Sequence, residues 1–171
     1  RLSARDDLCL LTIDAAQRKN PDRKRALFEA ADIVVLCLPD DAAREAAALT
    51  SNTRIIDAST AHRVDRQWVY GLPELAPGQR EAIASAGRVS NPGCYPTGFL
   101  LAVRPLVDAG LLPATALVRI HATSGYSGGG KSMIERYENH DEPGWRSRPY
   151  ALGLNHKHVP EMRYFSGLEQ A

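Results

Sequence analysis

The amino-acid sequence predicts an α/β protein organised around a partial parallel sheet, and three stretches carry that reading. Residues 32–38 (DIVVLCL) are a short, β-branched apolar run closed by Pro39, the signature of a strand buried on both faces in a parallel sheet. A helix-prone stretch follows, and then residues 54–57 (RIID) give a second short strand, so the order is β, α, β. Upstream, residues 8–13 (LCLLTI) read as an earlier strand and residues 23–31 as its crossover helix. Residues 8–57 are therefore one repeated β-α pattern, half of a doubly wound sheet.

Asp40 or Asp41 caps the helix between the two later strands, which runs through Ala48 and Leu49. Cys9 and Cys37 fall inside the apolar strands and are expected to be small, inert core residues. No glycine-rich turn stands before Leu38, although a dinucleotide-binding sheet normally has one after its first strand. The expectation is that a first β-α unit lies upstream of Arg1. Beyond Asp57, residues 59–77 are rich in turn formers and contain Trp68, Tyr70 and YGLPEL, which suits an active-site loop, while residues 79–86 are alanine-rich and helix-prone. Residues 118–123 (VRIHAT) alternate like a strand, residues 124–130 are glycine-rich, and residues 131–137 suit the opening of a helix. The polar stretch 139–149, with two prolines and one Trp, reads as an exposed loop.

Composition excludes several classes. Among 171 residues, 44% are apolar and 24% charged, with 21 Lys and Arg against 20 Asp and Glu, so a net charge of +1 offers no field for nucleic acid or anionic lipid. Three cysteines cannot all pair within one chain, and no run resembles a secretory signal or a membrane span. A reduced, cytoplasmic protein is expected.

The sharpest chemical feature is NPGCYPTGFLLAVRPL, residues 91–106, where a Pro- and Gly-rich turn delivers Cys94 to the start of an apolar helical run. The macrodipole and unpaired N–H groups at such a place favour a thiolate, the nucleophilic form of the side chain, and the same N–H groups can hold an oxyanion. His156 and His158 in NHKHVPE are two apart, so in an extended segment both project from one face, and either can serve as the proton partner of Cys94. A zinc site is not expected, because none of the cysteines forms a C-x-x-C pair and a fourth ligand is wanting. Gly125 to Ser132 (GYSGGGKS) satisfies the P-loop pattern G-x-x-x-x-G-K-[ST], with a strand expected before it and a helix after it. The only carboxylate-ending strand to organise Mg²⁺ is the one at Asp57. Without Mg²⁺, the glycine N–H groups and Lys131 form an anion cradle for a cofactor phosphate or an acyl phosphate. Ligands of open α/β sheets bind at the carboxyl ends of the strands, which points to Leu38, Pro39, Ser59 and Thr60 as cofactor-binding residues. Gly128 and Gly129 permit close approach of a nicotinamide or phosphate.

SNPGCYPTG around Cys94, together with STAHR, WVYGLPEL, SGYSGGGK and HKHVPE, resembles the N-acetyl-gamma-glutamyl-phosphate reductase family of arginine biosynthesis, in its shorter branch, over residues 31–162. The resemblance implies an oligomeric, two-domain enzyme: an NADP-binding Rossmann-like part, residues 1–90, and part of a catalytic α/β domain like that of glyceraldehyde-3-phosphate dehydrogenase, residues 91–171. It also implies that Cys94 attacks an acyl phosphate, phosphate leaves, and NADPH reduces the thioester to the semialdehyde. His158 or His156 moves the protons, and backbone N–H groups with Asn91 hold the oxyanion. Arg63 is the candidate phosphate ligand, and Tyr70 and Glu74 shape the substrate pocket beside Trp68. The alternatives are a reductase of aspartyl phosphate or of a lysine-pathway intermediate, a P-loop nucleotide-binding protein, and a non-catalytic oligomerising fragment. Because the family pattern continues beyond both ends, these 171 residues alone are expected to show weak or no NADPH turnover.

Overall fold

A computed structural model describes residues 2–139, 147 and 149–169. Most of the expected stretch 139–149 lies outside the described residues. The chain is α/β, with four parallel strands among the described residues: β1 (Ile33–Leu36), β2 (Arg54–Asp57), β3 (Val69–Tyr70) and β4 (Arg88–Ser90), in the sheet order β1-β2-β4-β3. Its helices are α1 (Pro21–Glu29), α2 (Asp40–Ala47), α3 (Gln79–Ser85), α4 (Cys94–Asp108), α5 (Lys131–Glu138) and α6 (Val159–Ser166), with short 3₁₀ turns at Leu2–Ala4 and Tyr126–Gly129.

The parallel register brings the strand ends into line. Leu36 pairs with Asp57, Asp57 with Ser90, and Ser90 with Tyr70, so one row crosses the sheet at its carboxyl edge. The segments that leave these strands, at Cys37, Ala58, Asn91 and Gly71, therefore emerge side by side. Two apolar clusters hold the frame. Val34, Leu36 and Ile55 pack with Ala46 of α2, and Phe28 of α1 and Trp68 close over them. Tyr70, Leu72 and Leu75 pack with Phe99, Leu100 and Val103 of α4, joined by Met162 and Phe165 of α6. The buried face of α4 is Pro96, Phe99, Leu100 and Val103, the i, i+3, i+4, i+7 stripe of an amphipathic helix.

Several sequence expectations are corrected. Residues 8–13 and 118–123 form no strand, because a strand exists only where its backbone groups find a ladder partner, and among the described residues neither segment has one. β1 is buried on one face only: Val34 and Leu36 point inward, whereas Ile33 and Val35 are 48% and 54% exposed. Cys9 and Cys37 accordingly lie exposed, not in a core. Neither Asp40 nor Asp41 is the N-cap of α2; that position is Pro39, and Asp40 turns its carboxylate to the backbone N–H (2.9 Å) and hydroxyl of Thr60. That bond holds the Asp40 carboxyl below the usual carboxylate range and ties α2 to the loop after β2.

Candidate active site

Cys94 is the first residue of α4, exposed at the carboxyl edge of the sheet, with Gly93 as N-cap. Helical geometry leaves the N–H groups of Cys94 and Tyr95 without intrahelical acceptors, and Pro96, the third residue, has none to offer. Among the described residues, two free donors therefore flank the thiol.

The turn before Cys94 is anchored from below by a buried carboxylate, the last residue of HKHVPE, to which the sequence alone assigns no role. Glu161, 2% exposed in the first turn of α6, accepts from the Gly93 N–H (2.9 Å) and the Tyr70 hydroxyl (2.8 Å) on Oε2, and from Arg63 Nη1 (2.6 Å) on Oε1. Arg63 is itself buried, gives Nη2 to the Ala58 carbonyl (3.0 Å), and keeps Nε unpartnered. A Cβ added to Gly93 would lie 2.8 Å from Arg63 Nη1, 2.8 Å from His158 Nε2 and 2.9 Å from Glu161 Oε1. Only glycine fits there, and the same distances put the His158 ring against the peptide that leads into Cys94.

His158 is not on a strand. It is the N-cap of α6 with helical backbone angles, and its backbone N–H donates to His156 Nδ1 (3.2 Å). The two rings meet edge to face at 4.6 Å, with Tyr95 6.0 Å from the His158 ring. Burial, and then the positive charges of His156, Arg63 and Lys157, push the His158 imidazole down to about 4. At neutral pH the ring is uncharged and can accept a proton. His156 is lowered in the same direction, by burial first and Lys157 next.

This shift makes stability depend on pH. The unfolded chain takes up the His158 proton near pH 6.5 and the folded protein only near pH 4. As pH falls through that window the unfolded state binds more protons, so stability present above pH 6.5 is lost downward, by up to about 3 kcal/mol. Urea midpoints at pH 7.5 and 4.5 are expected to differ more in the wild type than in His158→Asn; equal differences would contradict the assignment.

A second buried network shapes the loop that supplies Arg63. Asp57 accepts from the Ser59 N–H (3.0 Å) and hydroxyl (2.6 Å) and contacts His62 Nδ1 at 2.7 Å, while His62 stacks on Trp68 at 4.0 Å. Asp57 is wholly buried and engaged, which removes it as the Mg²⁺ carboxylate of a P-loop. The expected strand before GYSGGGKS is also missing, and Lys131 has a side chain 90% exposed, 3.7 Å from Glu135. Lys131→Ala is therefore expected to change stability by less than about 0.5 kcal/mol, and calorimetry with Mg²⁺ and ATP is expected to show no binding before or after the change.

The remaining candidates divide between crest, core and loop. Ser59 and Thr60 sit at the crest, bonded to Asp57 and Asp40, and Leu38 and Pro39 lie exposed beside them. Asn91 is exposed and gives its amide to the Pro92 carbonyl (3.2 Å). Tyr70 is in the core, stacked on Phe165 at 4.0 Å, its hydroxyl pushed up by burial and by Glu161, so it stays a donor. Glu74 is exposed in the turn beyond β3. Gly128 and Gly129 lie in the 3₁₀ turn before α5. Between α4 and residues 118–125 a cavity of about 630 Å³ opens beside Cys94, within the range of small-molecule sites. Tyr150, which no sequence motif marks, donates to the hydroxyl of Tyr95, one of the residues lining this cavity (2.7 Å).

Comparison with known proteins gives a consistent picture. Residues 11–86 match the semialdehyde dehydrogenase NAD binding domain and residues 94–170 the semialdehyde dehydrogenase dimerisation domain. A protein of Pseudomonas putida named N-acetyl-gamma-glutamyl-phosphate reductase 2 is 55% identical over 98% of this chain and 55% of its own length. Proteins named N-acetyl-gamma-glutamyl-phosphate reductase from Trichormus variabilis and Brucella ovis are each 52% identical, over 98% and 99% of this chain and 55% and 57% of their own lengths. The chain thus spans about half the length of the curated relatives it matches. Among solved structures, aspartate semialdehyde dehydrogenase II from Vibrio cholerae shares the fold, with a TM-score of 0.54 at 18% identity, over 82% of this chain and 49% of that one. With both domains matched in order, the chain belongs to the semialdehyde dehydrogenase family, and the curated relatives it resembles are named N-acetyl-gamma-glutamyl-phosphate reductases.

Proposed function

We propose that this chain carries the catalytic thiol of an NADP-dependent reductase that converts N-acetyl-gamma-glutamyl phosphate to N-acetylglutamate 5-semialdehyde. The observation that carries the reading is the position of Cys94: exposed, first in its helix, at the carboxyl edge of a parallel sheet, with a neutral imidazole packed against the preceding glycine. His158 takes the thiol proton, Cys94 Sγ attacks the acyl carbon, and the C–O bond to phosphate breaks to leave a thioester. His156, bonded to the His158 backbone, orients the base. The free N–H groups of Cys94 and Tyr95 face the developing oxyanion, a contribution of roughly 3–4 kcal/mol per donor in comparable sites.

The crest formed by the aligned strand ends suits a dinucleotide, with Leu38, Pro39, Ser59 and Thr60 against the cofactor and Gly128, Gly129 and Lys131 on the loop side. When bound, the nicotinamide supplies the hydride that reduces the thioester carbonyl. Asn91 and Glu74 border the substrate; Tyr70, expected there from the sequence, lies in the core instead and, like Arg63, acts by holding Glu161. The protein is a homo-oligomer, a reading supported by the matched dimerisation domain, and divides at residues 1–90 and 91–171. No helix among the described residues is long and apolar enough to cross a membrane, and we assign the reaction to the cytoplasm, where three exposed cysteines stay reduced.

The test uses protein made from its complete reading frame. N-acetylglutamate semialdehyde, NADP⁺ and phosphate are expected to give NADPH in a phosphate-dependent reaction. Turnover with aspartate semialdehyde in its place, or none with either, would overturn the substrate assignment.

A further inference from the structure

We infer that Glu161 is a positioning residue for the thiol: its carboxylate fixes the Asn91-Pro92-Gly93 turn, and through it the free N–H pair and sulfur of Cys94, an inference that rests on the reductase reading above. The carboxylate reaches all three parts of the site. It joins the backbone of the turn (Gly93 N–H, 2.9 Å), the loop after β2 (Arg63, 2.6 Å) and the end of β3 (Tyr70, 2.8 Å) to the first turn of α6, one turn beyond His158. Both nucleophile and base are thereby referenced to one buried pair of oxygens. Because Gly93 spends its N–H on Glu161, the oxyanion donors that remain are those of Cys94 and Tyr95. The carboxylate lies beneath the turn, buried among donors, so its work is geometric: it lends no proton and touches no substrate.

Gln is nearly isosteric but carries one oxygen and one NH₂. Whichever way its amide turns, a donor faces either Arg63 Nη1 or the Gly93 N–H and Tyr70 hydroxyl. In Glu161→Gln the Gly93 amide is expected to exchange with deuterium at least tenfold faster while β4 amides keep their rates. Turnover per titrated Cys94 is expected to fall about 100-fold with KM within threefold, as expected from a displacement of about 1 Å at the reacting atoms. Tyr70→Phe removes one donor only; a smaller acceleration at Gly93 is expected, and this variant decides the matter if Glu161→Gln fails to fold. Unchanged Gly93 exchange in a folded variant, or turnover per titrated Cys94 within twofold of wild type, would overturn the positioning role. Absence of turnover in the wild type would instead strike the reductase reading, and the exchange experiment would still judge Glu161.

Discussion

Cys94→Ser is expected to lower the phosphate-dependent turnover at least about 10⁴-fold and to leave stability within about 0.5 kcal/mol of wild type. In the proposed reaction the sulfur is the nucleophile, and a serine hydroxyl in its place is a far weaker one at neutral pH. Stability is spared because Cys94 is exposed. Steady-state kcat with a thermal melt checks both parts. A folded variant that keeps a tenth of wild-type turnover would remove Cys94 from the chemistry.

Gly93→Ala is the second large effect, and it arises from space, since the backbone of Gly93 at φ −68° suits any residue. The added methyl meets Arg63 Nη1, His158 Nε2 and Glu161 Oε1 at 2.8–2.9 Å, all from buried side chains with nowhere to retreat. Overpacking of this kind costs about 1–3 kcal/mol, and more if the buried Arg63–Glu161 pair is forced apart, where about 3–5 kcal/mol is at stake. The displaced turn carries Cys94 with it, so kcat is expected to fall about 100-fold or more. Differential scanning calorimetry and single-turnover kinetics report the two losses separately. Full activity with an unchanged melt would mean that the turn can shift without cost.

Much of this arrangement is legible in the sequence because it is local. DIVVLCL and RIID announce themselves by β-branched apolar runs, and the helix behind Cys94 by its i, i+3, i+4 stripe. Placing the thiol at a helix start needs only the order of Pro, Gly and Cys in residues 91–94. What depends on distant partners is not legible. LCLLTI and VRIHAT have strand composition, yet strands form by pairing, and a one-dimensional pattern does not say whether a neighbour is there. The exposure of Cys37 has the same cause, since the outer face of β1 has no cover among the described residues. Two histidines at i and i+2 suggest a strand face, whereas Pro160 starts a helix at Val159 and turns His158 into its N-cap.

Glu161 illustrates the hardest case. An acidic residue after Pro at a helix start reads as ordinary dipole complementarity, and its partners Arg63, Tyr70 and Gly93 lie 98, 91 and 68 residues away. A signal exists in hindsight: STAHR, WVYGLPEL and HKHVPE each donate one member of a single buried cluster beneath NPGC.

Trapping the covalent intermediate tests the central claim most directly. N-acetylglutamate semialdehyde and NADP⁺, mixed without phosphate and quenched in acid, are expected to leave an acyl group on the peptide that contains Cys94, with none on those of Cys9 or Cys37, and added phosphate is expected to discharge it. Phosphate-dependent turnover with no acyl adduct on that peptide would contradict the account.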